Sequence, residues 1–221
     1  MNRLIWILTV LLCWQPQVFA ALPSGGEKGD AAVQQVLEEL EGRMGRVETM
    51  QSRFTQKKRL RMFQHEIELR GSVHMQKPGR FAWHTRSPVR HSMVLEDGKI
   101  YQWSEDTNRT EVFSFSDAPV LRMVIEQMQT WFNGEYAGLM DQYDIRVAAA
   151  EPLELEFIPQ DDALSAGMIQ SIRIRFRGDR SYIESIDIEE RNGDRSVLLF
   201  TDTVLNAGID PSVWKVKSRA S

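Results

Sequence analysis

The chain holds 221 residues, with 27 Lys and Arg against 31 Asp and Glu, a net charge of −4 and a single cysteine. The acidic balance argues against a general nucleic-acid binder, and one cysteine argues against a disulfide framework or a thiolate metal cluster. The length suits one domain once any leader is removed.

The leader comes first. Met1-Asn2-Arg3 carries one positive charge, Leu4 to Leu12 is apolar except for Thr9, and Val18-Phe19-Ala20 offers a small-residue cleavage site. Together they predict a secretory signal over 1–20, cut ahead of Ala21, and an exported, soluble protein. The apolar stretch is shorter than the about 20 residues that span a bilayer. Cys13 lies inside this signal, behind Leu12 rather than the small residue that lipid modification wants. The mature chain is therefore expected to carry neither a thiol nor a lipid anchor. Residues 21–29 contain Gly, Pro and Ser and read as a flexible leader to a single domain at 30–221.

Asp30 is placed to cap a helix whose apolar positions Val33, Val36, Leu37, Leu40 and Met44 recur at helical spacing. From about Met50 the period becomes two. Ile67, Leu69, Gly71, Val73 and Met75 alternate with Glu66, Glu68, Arg70, Ser72, His74 and Gln76, which marks a strand with one dry face. Phe81 and Trp83, then Met93 and Leu95, continue the pattern; Asp97-Gly98 signals a hairpin, and Tyr101 and Trp103 return. Asp117 and Pro119 open a second helix striped with Leu121, Val124, Ile125, Met128, Trp131 and Phe132, and Gly134 and Gly138 mark its exit. Strands resume around Ile145, Leu155, Ile174, Ile186 and Leu199, with turns at Gly178-Asp179 and Asn192-Gly193-Asp194. Two amphipathic helices against one long, strongly curved antiparallel sheet predict an α+β domain.

Motifs of chemistry are missing. The sequence holds no G-x-S-x-G elbow, phosphate loop or dinucleotide fingerprint. His65-Glu66 lacks a second histidine four residues on, where Leu69 stands, so it is no zinc helix. The alternation turns His74 and His84 to solvent, and with His91 they read as solvated histidines rather than metal ligands. Asp161-Asp162 reads as turn chemistry, and Asn108-Arg109-Thr110 as a chance sequon. The protein is expected to be no enzyme and to use neither cofactor nor metal.

What stands out is a dry face rich in methionine and aromatic residues. Val73, Met75, Phe81, Trp83, Met93, Leu95 and Trp103 are its strand candidates; Met123, Met128, Trp131 and Phe132 are its helix candidates. Such residues make either a filled core or an adaptable apolar pocket. The two use one alphabet, and pattern alone leaves both open.

A resemblance bears on that choice. Met50-Gln51-Ser52-Arg53-Phe54-Thr55-Gln56, Gly71-Ser72-Val73, Lys77-Pro78-Gly79-Arg80-Phe81-Ala82-Trp83, Pro88 and Asp97-Gly98-Lys99 are similar, in order and spacing, to the outer-membrane lipoprotein carrier (LolA) family. Phe200-Thr201-Asp202, with Leu205-Asn206 through Trp214, resembles the family's closing segment. The resemblance implies an incomplete, half-open antiparallel barrel whose mouth is covered by helices. It implies a monomer in the periplasm that takes acyl chains of lipoproteins, or a related lipid, from an inner-membrane transporter to an outer-membrane acceptor. It also implies that Lys77 is a gate residue bonded to the covering helices. A 16-carbon chain in water costs on the order of 12 kcal/mol, so such a carrier answers a real barrier. The chain differs from the family in having Ser104-Glu105-Asp106-Thr107-Asn108 after Trp103, and no Pro-Gly element after Trp214. The cluster Arg53, Lys57, Lys58, Arg59 and Arg61 reads as a solvated strand end or as a dock for an acidic partner or anionic membrane. Alternatives to the lipoprotein carrier are a carrier for another lipid of a dedicated pathway, and a non-transporting sensor or scaffold on the same sheet.

Overall fold

The structure is a computed structural model that describes residues 27–216, apart from 63–65, 118, 162 and 164. The expected signal with Cys13, the leader up to residue 26, His65 and Asp162 lie outside the described residues, and the side chain of Met123 is likewise not described.

Helix α1 (Glu27–Met44) begins ahead of Asp30, the cap expected from sequence, and is followed by β1 (Thr49–Arg59), β2 (Glu66–Gln76), β3 (Arg80–Ser87), β4 (His91–Glu96), β5 (Lys99–Ser104) and β6 (Arg109–Ser114). Helix α2 (Pro119–Asn133) separates these from β7 (Tyr143–Ala150), β8 (Leu153–Pro159), β9 (Ile169–Phe176), β10 (Ile183–Glu190) and β11 (Arg195–Leu205). A last helical turn, Pro211–Trp214, is capped by the Asp210 carboxylate, which accepts from the Ser212 amide. The strands form one antiparallel sheet ordered β6-β5-β4-β3-β2-β1-β11-β10-β9-β8-β7. The first and last strands pair at its centre, from Met50 opposite Leu205 to Arg59 opposite Arg195. Strands β6 and β7 are its two edges, so the sheet is open and curved rather than closed into a barrel.

Directly opposed residues of an antiparallel pair share a face. The row Met75, Phe81, Leu95, Ile100 and Phe113 runs across β2 to β6 and joins the main core. Leu37, Leu40 and Met44 of α1 and Ile125, Trp131 and Phe132 of α2 pack into that same core. The helices meet where α2 ends. Gly134 has φ +79, and a Cβ there would come 2.8 Å from the Met44 Cβ. Only glycine turns the chain so close to α1 without strain.

Two expectations about the outer face are corrected. His84 is buried, not solvent-facing: its Nδ1 lies 2.9 Å from Ser92 Oγ and its Nε2 2.7 Å from the Val213 carbonyl. His74 is half-buried beside it, the rings 6.0 Å apart. The reason is the C-terminal segment, which lies across the outside of β3 and β4 and packs Trp214 on Ala82 and Val94. The Arg80 guanidinium sits 4.5 Å from the Trp214 ring. Farther along, the outer face is an exposed ladder of pairs: Arg173 with Glu156, Arg175 with Glu154, Arg195 with Asp187.

Candidate lipid-binding face

Gly71 shapes the middle of the concave face. A Cβ there would stand 2.0 Å from the His84 carbonyl oxygen and 2.6 Å from the Phe54 ring. Its absence lets Phe54 lie across β2 and meet the Trp83 ring at 4.1 Å between centroids. Phe81 continues the row, 6.4 Å from Trp83. From the far side, Phe132 of α2 meets Phe200 of β11 edge-on at 5.4 Å. Tyr136, just after α2, is wholly buried between Phe157 and Phe176, and its hydroxyl donates to the Trp131 carbonyl at 2.6 Å. Burial pushes that phenol well above its ordinary range, so it stays a neutral donor.

Of the residues selected from sequence, Val73, Met75, Phe81, Trp83, Leu95, Trp131 and Phe132 come together in this core, with Met93 and Met128 half-buried at its margin. Trp103 does not. Through the β4–β5 hairpin it is Ile100 that opposes Leu95 and Gln102 that opposes Met93, so Trp103 falls opposite Ser92 on the outer face. There Arg90 lies 5.8 Å over its ring. Its size suggested the core, but this part of the sheet is buried on both sides. In this conformation the described apolar residues of the concave face are buried against one another and the helices. An open depression of about 290 Å³ lies elsewhere, at the exits of α1 and α2, lined by Glu41, Thr130, Glu135, Gly138, Leu139 and Gln142. It includes none of the selected residues.

Lys77, in the β2–β3 turn, donates from Nζ to the Gly45 carbonyl at 3.0 Å, just past the end of α1. Its own amide donates to the Glu48 carbonyl at 2.9 Å. The side chain thus ties the strand turn to the exit of one covering helix.

The basic cluster is divided by the alternation of β1. Arg53 pairs with Asp202 at 3.0 Å and Lys57 with Glu66 at 3.7 Å on the outside, where Arg59 is also exposed. Lys58 points inward and is buried near Glu190 and Asp194. Desolvation lowers the Lys58 pKa against the pull of those two carboxylates, and desolvation raises that of Glu190. Among the described residues no group of three His, Cys, Asp or Glu could hold a metal ion. The three histidines are split, since His91 opposes Thr85 on the concave face while His74 and His84 lie outside.

Sequence reasoning placed none of the polar side chains of the concave face there: Lys58 was read as part of a solvated or docking cluster, His91 as a solvated histidine, and Thr85, Gln102, Glu190 and Ser196 were passed over. The signal was present. Counting in twos from Phe54, Trp83 and Met93 puts Lys58, Thr85 and His91 on that face, and the Asp97-Gly98 turn puts Gln102 opposite Met93.

Fold and face together define a class: a half-open antiparallel barrel whose apolar inner surface is capped by two helices. Residues 45–217 match the family model of the outer membrane lipoprotein carrier protein LolA. Among curated relatives, the outer-membrane lipoprotein carrier protein of Hahella chejuensis is 23% identical over 200 residues, 88% of each chain. That of Pseudomonas fluorescens is 22% identical over 148 residues, covering 67% of this chain and 68% of the relative. A conserved protein of Thermus thermophilus superposes with a TM-score of 0.52 at 10% identity, covering 82% of this chain and 91% of that one. So does the structure of the Pseudomonas aeruginosa MucA/MucB complex, with a TM-score of 0.52 at 11% identity, covering 83% of this chain and 62% of that one. The chain belongs to the outer membrane lipoprotein carrier protein LolA family.

Proposed function

We propose that this protein is a periplasmic carrier that shields the acyl chains of lipoproteins between an inner-membrane transporter and an outer-membrane acceptor. The observation that carries this reading is the apolar cluster of the inner face around Phe54, Phe81 and Trp83, covered by helices rather than by sheet. Helices docked on an open sheet can lift without breaking strand pairing, and Lys77 holds one of them by a single side-chain bond. The gain from burying an acyl chain then offsets the loss of helix packing, which makes both loading and release accessible. The role is binding and transfer, performed by a monomer whose signal is cut after Ala20. The reading is tested by purifying the protein from the periplasm without detergent and measuring its intact mass under native conditions. A mature chain starting at Ala21 and carrying diacylated cargo is expected. Lipid-free protein that also fails to extract a purified lipoprotein from vesicles would overturn the carrier role.

A second reading, a sensor or scaffold that transports nothing, draws on the packed state of the concave face and on the fold shared with MucB. It expects a stable protein partner and no lipid in the same experiment.

A further inference from the structure

The concave face is not uniformly apolar. Thr85 and His91 oppose each other on β3 and β4, and Gln102 opposes Met93 on β5, one diagonal step from His91. All three share the face and neighbourhood of Trp83 and Met93. Thr85 and Gln102 are 4% and 5% exposed. Thr85 Oγ1, His91 Nδ1 and Gln102 Oε1 are each buried without a hydrogen-bond partner. Buried polar atoms left unpaired cost stability, and valine or leucine would fill the same volumes without that cost. Three of them on adjacent strands, beside Trp83 and Met93, point to a partner that arrives from outside.

We propose that Thr85, His91 and Gln102 form a polar seat that binds the neutral ester and amide linkages joining acyl chains to the head of a lipid. The inference rests on the carrier reading above and specifies what part of the cargo is recognised. The chemistry of the seat selects the class. A hydroxyl and a carboxamide each donate and accept, and a neutral imidazole adds one donor and one acceptor. Burial pulls the His91 pKa down to about 4, with Asp106 opposing the shift and His84 adding to it, so the ring is uncharged at neutral pH. A phosphate or free carboxylate would need a cation. Lys58, the buried cation of this face, lies beyond Phe54 on β1 and faces Glu190 and Asp194. Carbonyl acceptors together with an amide N–H, as in a diacylglyceryl-cysteine, match the seat group for group. With the linkage held there, the chains run along Trp83 and Met93.

The test compares two probes of equal chain length: a synthetic dipalmitoylglyceryl-cysteine hexapeptide, and its analogue with ether in place of ester linkages. Affinities are read by displacement of a solvatochromic dye from the wild type and from the Thr85→Val, Gln102→Leu pair. The wild type should prefer the ester probe about tenfold, the effect of a lost hydrogen bond or two. The double variant should lose that preference, bind the ether probe about threefold more weakly because the amide N–H shared by both probes no longer finds Gln102 Oε1, and melt no lower than wild type. Should the pair fail to fold, Thr85→Val alone is expected to lose about threefold on the ester probe only. Equal binding of both probes by the wild type, or an undiminished preference in the variants, overturns the seat and leaves the carrier. Failure of the wild type to bind either probe overturns both.

Discussion

Replacing Lys77 with leucine removes one identifiable bond, and its effect can be worked out from the structure. Lys77 Nζ donates to the Gly45 carbonyl at 3.0 Å, while the backbone bond from Lys77 to Glu48 remains in any variant. Gly45 follows directly on α1, so its carbonyl carries the negative end of the helix dipole and favours a cation. The contact is solvent-accessible, which limits its worth to about 1 kcal/mol. That corresponds to roughly a fivefold shift in the balance between docked and lifted α1. The apolar side of α1, through Leu37, Leu40 and Met44, is fully buried and should hold the helix in place most of the time. Hydrogen exchange reads this directly. In Lys77→Leu the α1 amides should exchange about fivefold faster, while those of the central β1–β11 ladder, held by strand pairing, keep their wild-type rates. Lys77→Arg should exchange like wild type or slower, because a guanidinium offers a rigid fork of donors to the same carbonyl. Lipid loading of the leucine variant should rise in parallel and transfer to acceptor membranes should fall. Unchanged α1 exchange in Lys77→Leu, or an equal acceleration throughout the sheet, refutes the latch.

Gly71→Ala puts a methyl 2.0 Å from the His84 carbonyl and against the Phe54 ring, and a backbone oxygen cannot swing away. The cost should reach the upper end of the 1–3 kcal/mol seen for overpacking, which calorimetry would register as a melting temperature lower by about 6–12 °C. Trp214→Ala empties the outer cover of Ala82 and Val94 and removes the ring beneath Arg80. A loss of about 3 kcal/mol is expected, with faster trimming of the C-terminal segment by trypsin; an untouched tail contradicts the anchoring role. For His74 the pKa falls from 6.5 to about 4, chiefly by desolvation, then by His84 and Arg86. Its folded value is the depressed one, so its contribution is intact above pH 6.5 and is lost as the pH falls from there through about 4. His74→Gln should therefore flatten the drop in urea midpoint across that window, and an unaltered slope would show that His74 is not responsible.

The strands that could be read in advance are those with one wet and one dry face. In β2, Val73 and Met75 alternate with Ser72 and His74 because only one side joins the main core, and the sequence carries that alternation plainly. Strand β6 was not legible. Its residues from Arg109 to Ser114 are almost all exposed at a sheet edge, so neither face imposes an apolar period. The opposite failure occurred in β3, β4 and β5. Phe81 to Thr85 are buried at every position, which erases the difference between faces and made Trp103 look like an inner residue and His84 a solvated one. What covers that outer side is Trp214, more than a hundred residues away in sequence, and no local pattern could announce it. Val73, Met75, Phe81, Trp83, Leu95, Trp131 and Phe132 were recognisable as inner residues by size and period. The polar seat was not, because threonine, histidine and glutamine in a strand ordinarily mean water.

The pairing of β1 with β11 at the middle of the sheet has a consequence for how the molecule comes into being. The chain lays down the β1–β6 half first, yet the flank of β1 that completes it waits for the last strand, with Met50 finding Leu205. Throughout that interval the nascent half-sheet exposes an unpaired hydrogen-bonding flank and an apolar inner wall not yet met by β8 to β11. Such a species is open to off-register strand addition by other copies emerging nearby. Closing so long a loop is also slow, since its entropy is lost before the central ladder returns any stability. Truncation anywhere before β11 should therefore yield aggregates rather than a smaller folded domain.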